Sequence, residues 1–408
     1  MKTFPSLCVG ALGLMAGIAH AADGSDSYDL VARGRYLAEL GDCTACHTLP
    51  GKAPYSGGVA IETPFGNVLG ANITPDAETG IGAWSFEDFQ NTMSNGHARG
   101  GKRLYAAMPY TAYTKVTRED NRALWAYLNS LEPVKHEVET NQLPFPFNIR
   151  TSLIAWNWMA FDEGEYQPDP EQSEQWNRGA YLVQGLGHCG SCHTPKSLIG
   201  GDKDDEFLTG SNLQSWMAPD ITGNSHTGIG RWSEAEIVSY LKTGANRFDM
   251  ASGPMAEAVE HSTQHWKDAD LSAVAVYLKS LGDGEQESPT PLAADSANMR
   301  TGALIYEDQC SACHTPDGEG ITNLFPRLAQ APLVNSSDAT SLIRVVLAGS
   351  RAGATDAAPT APAMPSFAWN MSDQHIADVL TYVRNSWGNA AAAVSADDVK
   401  GLREDLKP

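Results

Sequence analysis

Six cysteines of the chain fall into three copies of one pattern: Cys43-Thr-Ala-Cys46-His47, Cys189-Gly-Ser-Cys192-His193 and Cys310-Ser-Ala-Cys313-His314. Only Cys8, near the N-terminus, stands outside it. CxxCH is the attachment signature of a c-type haem. On a helical turn, residues three and four apart share a face. Two thiols can therefore meet the two vinyl groups of one porphyrin while the next residue turns its imidazole towards the iron. A CxxC disulfide would not need the adjacent histidine each time, and a structural zinc site would need paired CxxC units or further histidines at ligand spacing. The pattern predicts three covalently bound haem c groups. Cys43, Cys46, Cys189, Cys192, Cys310 and Cys313 form the thioethers, and His47, His193 and His314 are the proximal ligands.

The sixth ligand decides the chemistry. A haem held only by histidine has an open position for oxygen or peroxide, whereas one capped by methionine is closed and suited to electron transfer. Met108 in Ala107-Met108-Pro109, Met255 in Pro254-Met255-Ala256 and Met364 in Ala363-Met364-Pro365 lie 65, 66 and 54 residues after the first cysteine of their copies. Each is expected in a loop before a terminal helix, with the adjacent proline holding that loop extended. A methionine elsewhere is usually core filler. Met93 and Met371 read that way, and Met250 is the rival to Met255. His97, His188, His226, His261, His265 and His375 read as surface or structural residues. Trp84, Trp232, Asn72, Thr74 and Thr222 could bond haem propionates or line the crevice.

The segments that must position these groups repeat as well. Arg33-Gly34-Arg35-Tyr36-Leu37 precedes the first motif and Arg178-Gly179-Ala180-Tyr181-Leu182 the second. Asn72-Ile73-Thr74 leads to Thr79-Gly80-Ile81-Gly82-Ala83-Trp84-Ser85, as Asp220-Ile221-Thr222 leads to Thr227-Gly228-Ile229-Gly230-Arg231-Trp232-Ser233. The third copy is shorter and keeps Arg300 and Gly302. Each ends in an amphipathic helical pattern around Leu124, Val274 and Val379, with polar cap residues such as Ser372. The expected fold is mainly α, with repeats at 28–131, 177–281 and 298–388 and a tail at 389–408. The acidic, proline-containing stretch 282–297 reads as a linker. Residues 132–176 form a longer connector with Pro144 to Asn148 and Trp156 to Phe161, either a strap packed across the domains or a docking surface for another subunit.

The composition limits the partners. With 28 Lys and Arg against 49 Asp and Glu, the formal charge is −21. Such a chain repels phosphate backbones, which argues against nucleic-acid binding. Residues 1–21 read as a secretory signal peptide: Lys2, a short apolar run from Leu7 to Ile18 and the small-residue site Ala19-His20-Ala21. The longest later apolar stretch, Thr151 to Phe161, is 11 residues, against the roughly 20 needed to span a bilayer. The mature chain is expected in the periplasm, with membrane association peripheral if any.

Taken together, the three CxxCH motifs, the RGxYL and TGIGxWS repeats and the MPY and MPSF segments resemble the three-haem cytochrome c subunit of bacterial membrane-associated periplasmic dehydrogenases. The resemblance spans Tyr28 to Gly388. It implies three tandem class I cytochrome c-like domains joined by linkers. It also implies a catalytic partner of quinoprotein, flavoprotein or molybdenum type, possibly with a small third subunit. Electrons would pass on to ubiquinone or a downstream carrier. By the same resemblance Cys43, Cys46, His47 and Met108 serve one haem, Cys189, Cys192, His193 and Met255 the second, and Cys310, Cys313, His314 and Met364 the third. No acid–base catalysis by this chain is then required. The rival readings are a haem enzyme of peroxidase type and a free diffusible shuttle. Some members of the family attach to the membrane through an amphipathic C-terminal segment; here Ser395 to Pro408 offers only the narrow stripe Val399, Leu402 and Leu406, a poor interfacial anchor.

Overall fold

A computed structural model describes residues 23–213, 215–282 and 289–406. The expected signal peptide and part of the 282–297 linker lie outside the described residues. Each repeat is built alike. An opening helix (Asp23–Leu40, Glu174–Gln184 or Ala297–Gln309) leads into the CxxCH turn (Cys43–His47, Gly190–His193 or Ser311–His314). A middle helix follows (Phe86–Asn95, Glu234–Thr243 or Thr340–Ala348), and a closing helix (Arg118–Asn129, Asp268–Ser280 or Asp373–Val383) returns across the opening one. Among the described residues sheet is confined to short antiparallel ladders, the longest pairing Ala60–Thr63 with Gly66–Leu69.

The crossing of opening and closing helices explains a repeated glycine. A Cβ on Gly34 would lie 1.9 Å from the Ala123 carbonyl oxygen, one on Gly179 2.0 Å from that of Ala273, and one on Gly302 2.2 Å from that of Asp378. Backbone thus meets backbone where the two helices cross, and only glycine permits it. The TGIGxWS segments serve the middle helix. The amides of Ile81 and Ile229 donate to the carbonyls of Thr74 and Thr222, both at 2.9 Å. Ser85 and Ser233 then close capping boxes with Asp88 and Glu236, satisfying otherwise orphaned N–H groups of the first turn.

The first two repeats do not keep separate interiors. Leu37, Leu40, Tyr113 and Leu124 of the first share one apolar core with Leu182, Leu186, Leu271 and Val274 of the second. A reciprocal exchange ties them. The Tyr36 hydroxyl donates to Asp270 and the Tyr181 hydroxyl to Asp120, both at 2.6 Å. Each carboxylate also binds its own repeat's arginine, Arg178 to Asp270 at 2.7 Å and Arg33 to Asp120 at 2.9 Å. Burial pushes the Asp270 carboxyl up, but the bonds from Arg178 and Tyr36 outweigh it and hold the group below the usual carboxylate range.

The third repeat has its own core around Tyr306, Ile343, Leu347, Ile376 and Leu380. It leans on the second through polar contacts. Ser341 Oγ accepts from the Met217 amide at 2.6 Å, Asn212 donates to Asp338 at 3.0 Å, and the Arg344 guanidinium lies 4.7 Å from the Trp216 ring centre. The tail stripe has a partner: Val394 and Val399 are buried in the third core, and Leu402 and Leu406 pack on it. Arg403 fastens the final helix, Ala396–Asp405, to Asp373 at 2.7 Å and to the Ala368 and Met371 carbonyls.

Candidate haem sites

The three CxxCH turns share one arrangement at the histidine. Nδ1 of His47 lies 2.6 Å from the Ala71 carbonyl oxygen, that of His193 2.7 Å from Pro219, and that of His314 2.9 Å from Pro326. A carbonyl only accepts, so each Nδ1 carries the proton and each Nε2 keeps its lone pair for a metal. Burial lowers the pKa of all three imidazoles, against a smaller opposing effect of the carbonyl bonds. The three rings are thereby held neutral, the form a metal requires.

Ala71 and Pro219 owe their position to the next residue. Asn72 Oδ1 accepts from the Thr74 amide at 3.0 Å while its amide group donates to the Val134 carbonyl at 2.8 Å. Asp220 accepts from the Thr222 amide at 2.7 Å and the Thr227 hydroxyl at 2.9 Å. Asn72, Thr74 and Thr222 are therefore committed to turns that pin the proximal carbonyl. The sequence could have shown this, because Asn72 and Asp220 occupy the same place in their repeats.

None of the six cysteines is paired in a disulfide among the described residues. Burial pushes Cys43 and Cys189 up to about 12, and Cys46 and Cys310 to about 11. Thiols raised in this way are not activated nucleophiles, and no cluster of three or more metal-binding side chains occurs among the described residues. Two orphaned donors suit a porphyrin instead. Trp232 Nε1 and Arg327 Nε are buried without a hydrogen-bond partner; Trp232 lies in the TGIGxWS segment, Arg327 follows Pro326, and both flank the ring of Phe248. Haem propionates would satisfy both.

The methionines are placed differently from one another. Met108 lies in irregular chain just before the short helix Tyr110–Tyr113 and packs on the core that also receives Cys43. Met364 ends a two-residue strand paired with Ser350–Arg351 and packs on the core that receives Cys310. Met255 is not in a loop: it is the second residue of the helix Pro254–His261. Gly253, at φ 55°, and Pro254 at the first helical position start that helix earlier than the other repeats do. Of the rivals, Met93 and Met371 are buried core residues, and Met250 sits in a bridge opposite Ala245.

The first two attachment turns also face each other. Cys46 feels Cys192 across the boundary, and Asp42 acts on both. Tyr113 donates to the Gly41 carbonyl at 2.9 Å and meets the His188 ring edge-on at 5.7 Å. Burial and the nearby Glu257, on the Met255 helix, raise Asp42 to about 7. On its other side the Met255 segment meets the third repeat, through the Ser252–Ala352 bridge and the Gly353 amide to the Ala251 carbonyl at 3.4 Å.

A helical domain with one CxxCH turn and a carbonyl-bound histidine, repeated three times, defines a class. The chain belongs to the cytochrome c family, whose profile matches residues 31–132, 177–282 and 299–387. It carries three covalently bound haem c groups, one for each matched segment and CxxCH turn. Over 99% of its length it is 41% identical to the cytochrome c subunit of gluconate 2-dehydrogenase from Pantoea cypripedii, covering 96% of that protein. It is 40% identical to the cytochrome c subunit of alcohol dehydrogenase (quinone) from Gluconobacter oxydans, over 98% of this chain and 87% of the relative. The fructose dehydrogenase cytochrome subunit of Gluconobacter japonicus is 38% identical over 91% of this chain and 82% of its own length.

Proposed function

We propose that this chain is the electron-transfer subunit of a quinone-linked dehydrogenase, accepting electrons from a catalytic subunit and passing them to ubiquinone or a downstream carrier. The observation that carries the reading is the identical fixing of His47, His193 and His314, each with Nδ1 bonded to a backbone carbonyl and Nε2 left free. Bound haem c supplies a one-electron carrier at each site. Cys43 with Cys46, Cys189 with Cys192 and Cys310 with Cys313 hold it covalently, and His47, His193 and His314 are the proximal ligands. Met108, Met255 and Met364 would hold it from the other side, which would close each site to oxygen and peroxide and leave electron transfer as its chemistry.

The chain's work is positional and electrostatic. Cys46 and Cys192 bring the edges of the first two sites together, and the Met255 segment, touching both neighbours, makes the second repeat the central one. Trp232 and Arg327 bond propionates. The names of the relatives support a dehydrogenase partner that oxidises an alcohol, sugar or sugar acid; the motif resemblance adds that its catalytic subunit is of quinoprotein, flavoprotein or molybdenum type. Residues 1–21 direct the chain to the periplasm. No helix among the described residues is long and apolar enough to cross a membrane.

The test is purification of the native complex. We expect three haems per chain by pyridine haemochrome assay, a copurifying catalytic subunit, and reduction of all three haems when its substrate is added. A count below three, or a high-spin iron that binds cyanide rapidly, would replace this reading with a haem enzyme.

A further inference from the structure

We propose that Arg327, a residue of the third repeat, is a positioning residue for the haem of the second: together with Trp232 it holds that haem's propionates, so that one loop serves two neighbouring sites. The inference rests on the electron-carrying role proposed above and assigns a cation to one particular site within it.

The ring of Phe248, buried in the second repeat, is the meeting point. Trp232 of the same repeat stacks parallel to it, with ring centres 5.8 Å apart and planes at 6°. The Arg327 guanidinium crosses the repeat boundary to lie 5.6 Å from the same ring centre, within cation–π reach. Trp232 Nε1 and Arg327 Nε are thus gathered at one ring, and both are buried donors without an acceptor. Leaving such donors unmet is unfavourable, and a haem brings two carboxylates. The crevice concerned is that of the second haem, because the Trp232 segment is the one whose Thr222 and Thr227 bond Asp220 beside the Pro219 carbonyl that fixes His193. Arg247 also reaches the Phe248 ring, at 4.5 Å, but its side chain is mostly exposed and tied to Glu236.

The third repeat holds Arg327 in place from both sides. Pro326 before it gives its carbonyl to His314 Nδ1 at 2.9 Å. Leu328 after it donates its amide to the Gly318 carbonyl at 2.7 Å, and its own carbonyl accepts from Asn389 at 2.9 Å. From Asn389 a buried frame continues into the second repeat. Asn335 donates to Asn389 Oδ1, the Ala390 amide donates to Asn335 Oδ1, and His226 Nε2 donates to the Ala390 carbonyl, each at 3.0 Å. His226 stands six residues before Trp232. Arg327 and Trp232 are therefore tied to one another twice, across Phe248 and through this frame.

Charge gives the arginine its effect. Glu319, itself half exposed, accepts from Arg327 Nη2 at 2.8 Å, and Asp317 stands in the same field. The Arg327 side chain is mostly buried, where salt screens a charge poorly. A cation beside a haem disfavours the added positive charge of ferric iron and offsets the propionate it bonds, and both effects raise the midpoint potential. The pair Pro326-Arg327 then carries the acceptor for the third site's histidine and the cation for the second site's haem.

The experiment is a redox titration of the full holoprotein in which electron paramagnetic resonance tells the three haems apart by their g-values. We expect Arg327→Gln to lower one midpoint, shifting that haem's reduction equilibrium about tenfold, or about 59 mV for one electron. Trp232→Phe should lower the midpoint of the same haem, and the two substitutions together should do less than the sum of each, as groups sharing one site do. Arg327→Lys, which keeps the charge, should restore most of the loss; an arginine that only packs the boundary would show no such rescue. Glu319→Gln, at an exposed side chain that tolerates change, should move the same midpoint upwards. The proposal is overturned if Arg327→Gln and Trp232→Phe move different haems, or if either moves none. A haem count of three and low-spin spectra in every variant test the function proposed above separately from this assignment.

Discussion

At the scale of single residues, the haem-bearing groups announce themselves because thioether attachment needs two thiols and an imidazole within five consecutive positions. The carbonyls of Ala71, Pro219 and Pro326 do not, because a backbone acceptor has no residue type; only the recurrence of Asn72 and Asp220 one position later betrays two of them. The distal side is testable residue by residue. Met255→Ala should remove one of three methionine–iron contributions to the far-red absorption and lower one midpoint potential in a redox titration. Met250→Leu should leave both unchanged, and the opposite result would make Met250 the ligand. The sequence placed Met255 in a loop because it resembles Met108 in spacing. The preceding Gly253-Pro254 pair, which starts a helix, was the local signal that separates the two.

Among the elements, the helices were legible from their apolar periodicity and polar caps: Ser372 caps as expected, while the caps that Ser85 and Ser233 give the middle helices went unread in the repeat. The repeated glycine of the RGxYL segments was visible as a repeat but not explicable, since its reason lies in a helix about 90 residues away. At Gly179 a methyl group would sit 2.0 Å from the Ala273 oxygen and 2.8 Å from the Tyr277 Cβ. Gly179→Ala must therefore push the opening and closing helices of the second repeat apart. It should destabilise the holoprotein by about 3 kcal/mol or more, beyond the usual range for overpacking because the clash is with backbone. Thermal unfolding followed by circular dichroism would measure it. The surface control Gly51→Ala, with open space around a Cβ, should show only the smaller cost of its left-handed backbone.

In the whole molecule, three repeats were expected as three units, and the periodicities within each could not reveal that two of them would merge their interiors. Pooling follows from the exchange of Tyr36 and Tyr181 across the boundary, a pairing between positions more than 200 and about 60 residues apart. Asp270 is its most exposed weakness to acid. Its carboxyl is held below its ordinary value in the folded chain, so its contribution is complete above the unfolded pKa, about 3.9, and is lost as pH falls through the folded value. Asp270→Asn should therefore cost about 2 kcal/mol near neutrality, less than for a fully buried pair because Arg178 is partly exposed. In denaturant titrations at stepped pH the gap to wild type should close on the acid side of the carboxylate range; a gap that persists there would mean that the carboxylate's charge is not what matters. Because each tyrosine answers to the carboxylate of the other copy, neither half of this tandem is free to drift alone. The pair behaves as a heterodimer written on one strand, and the spacing of its two attachment turns is inherited as a single trait.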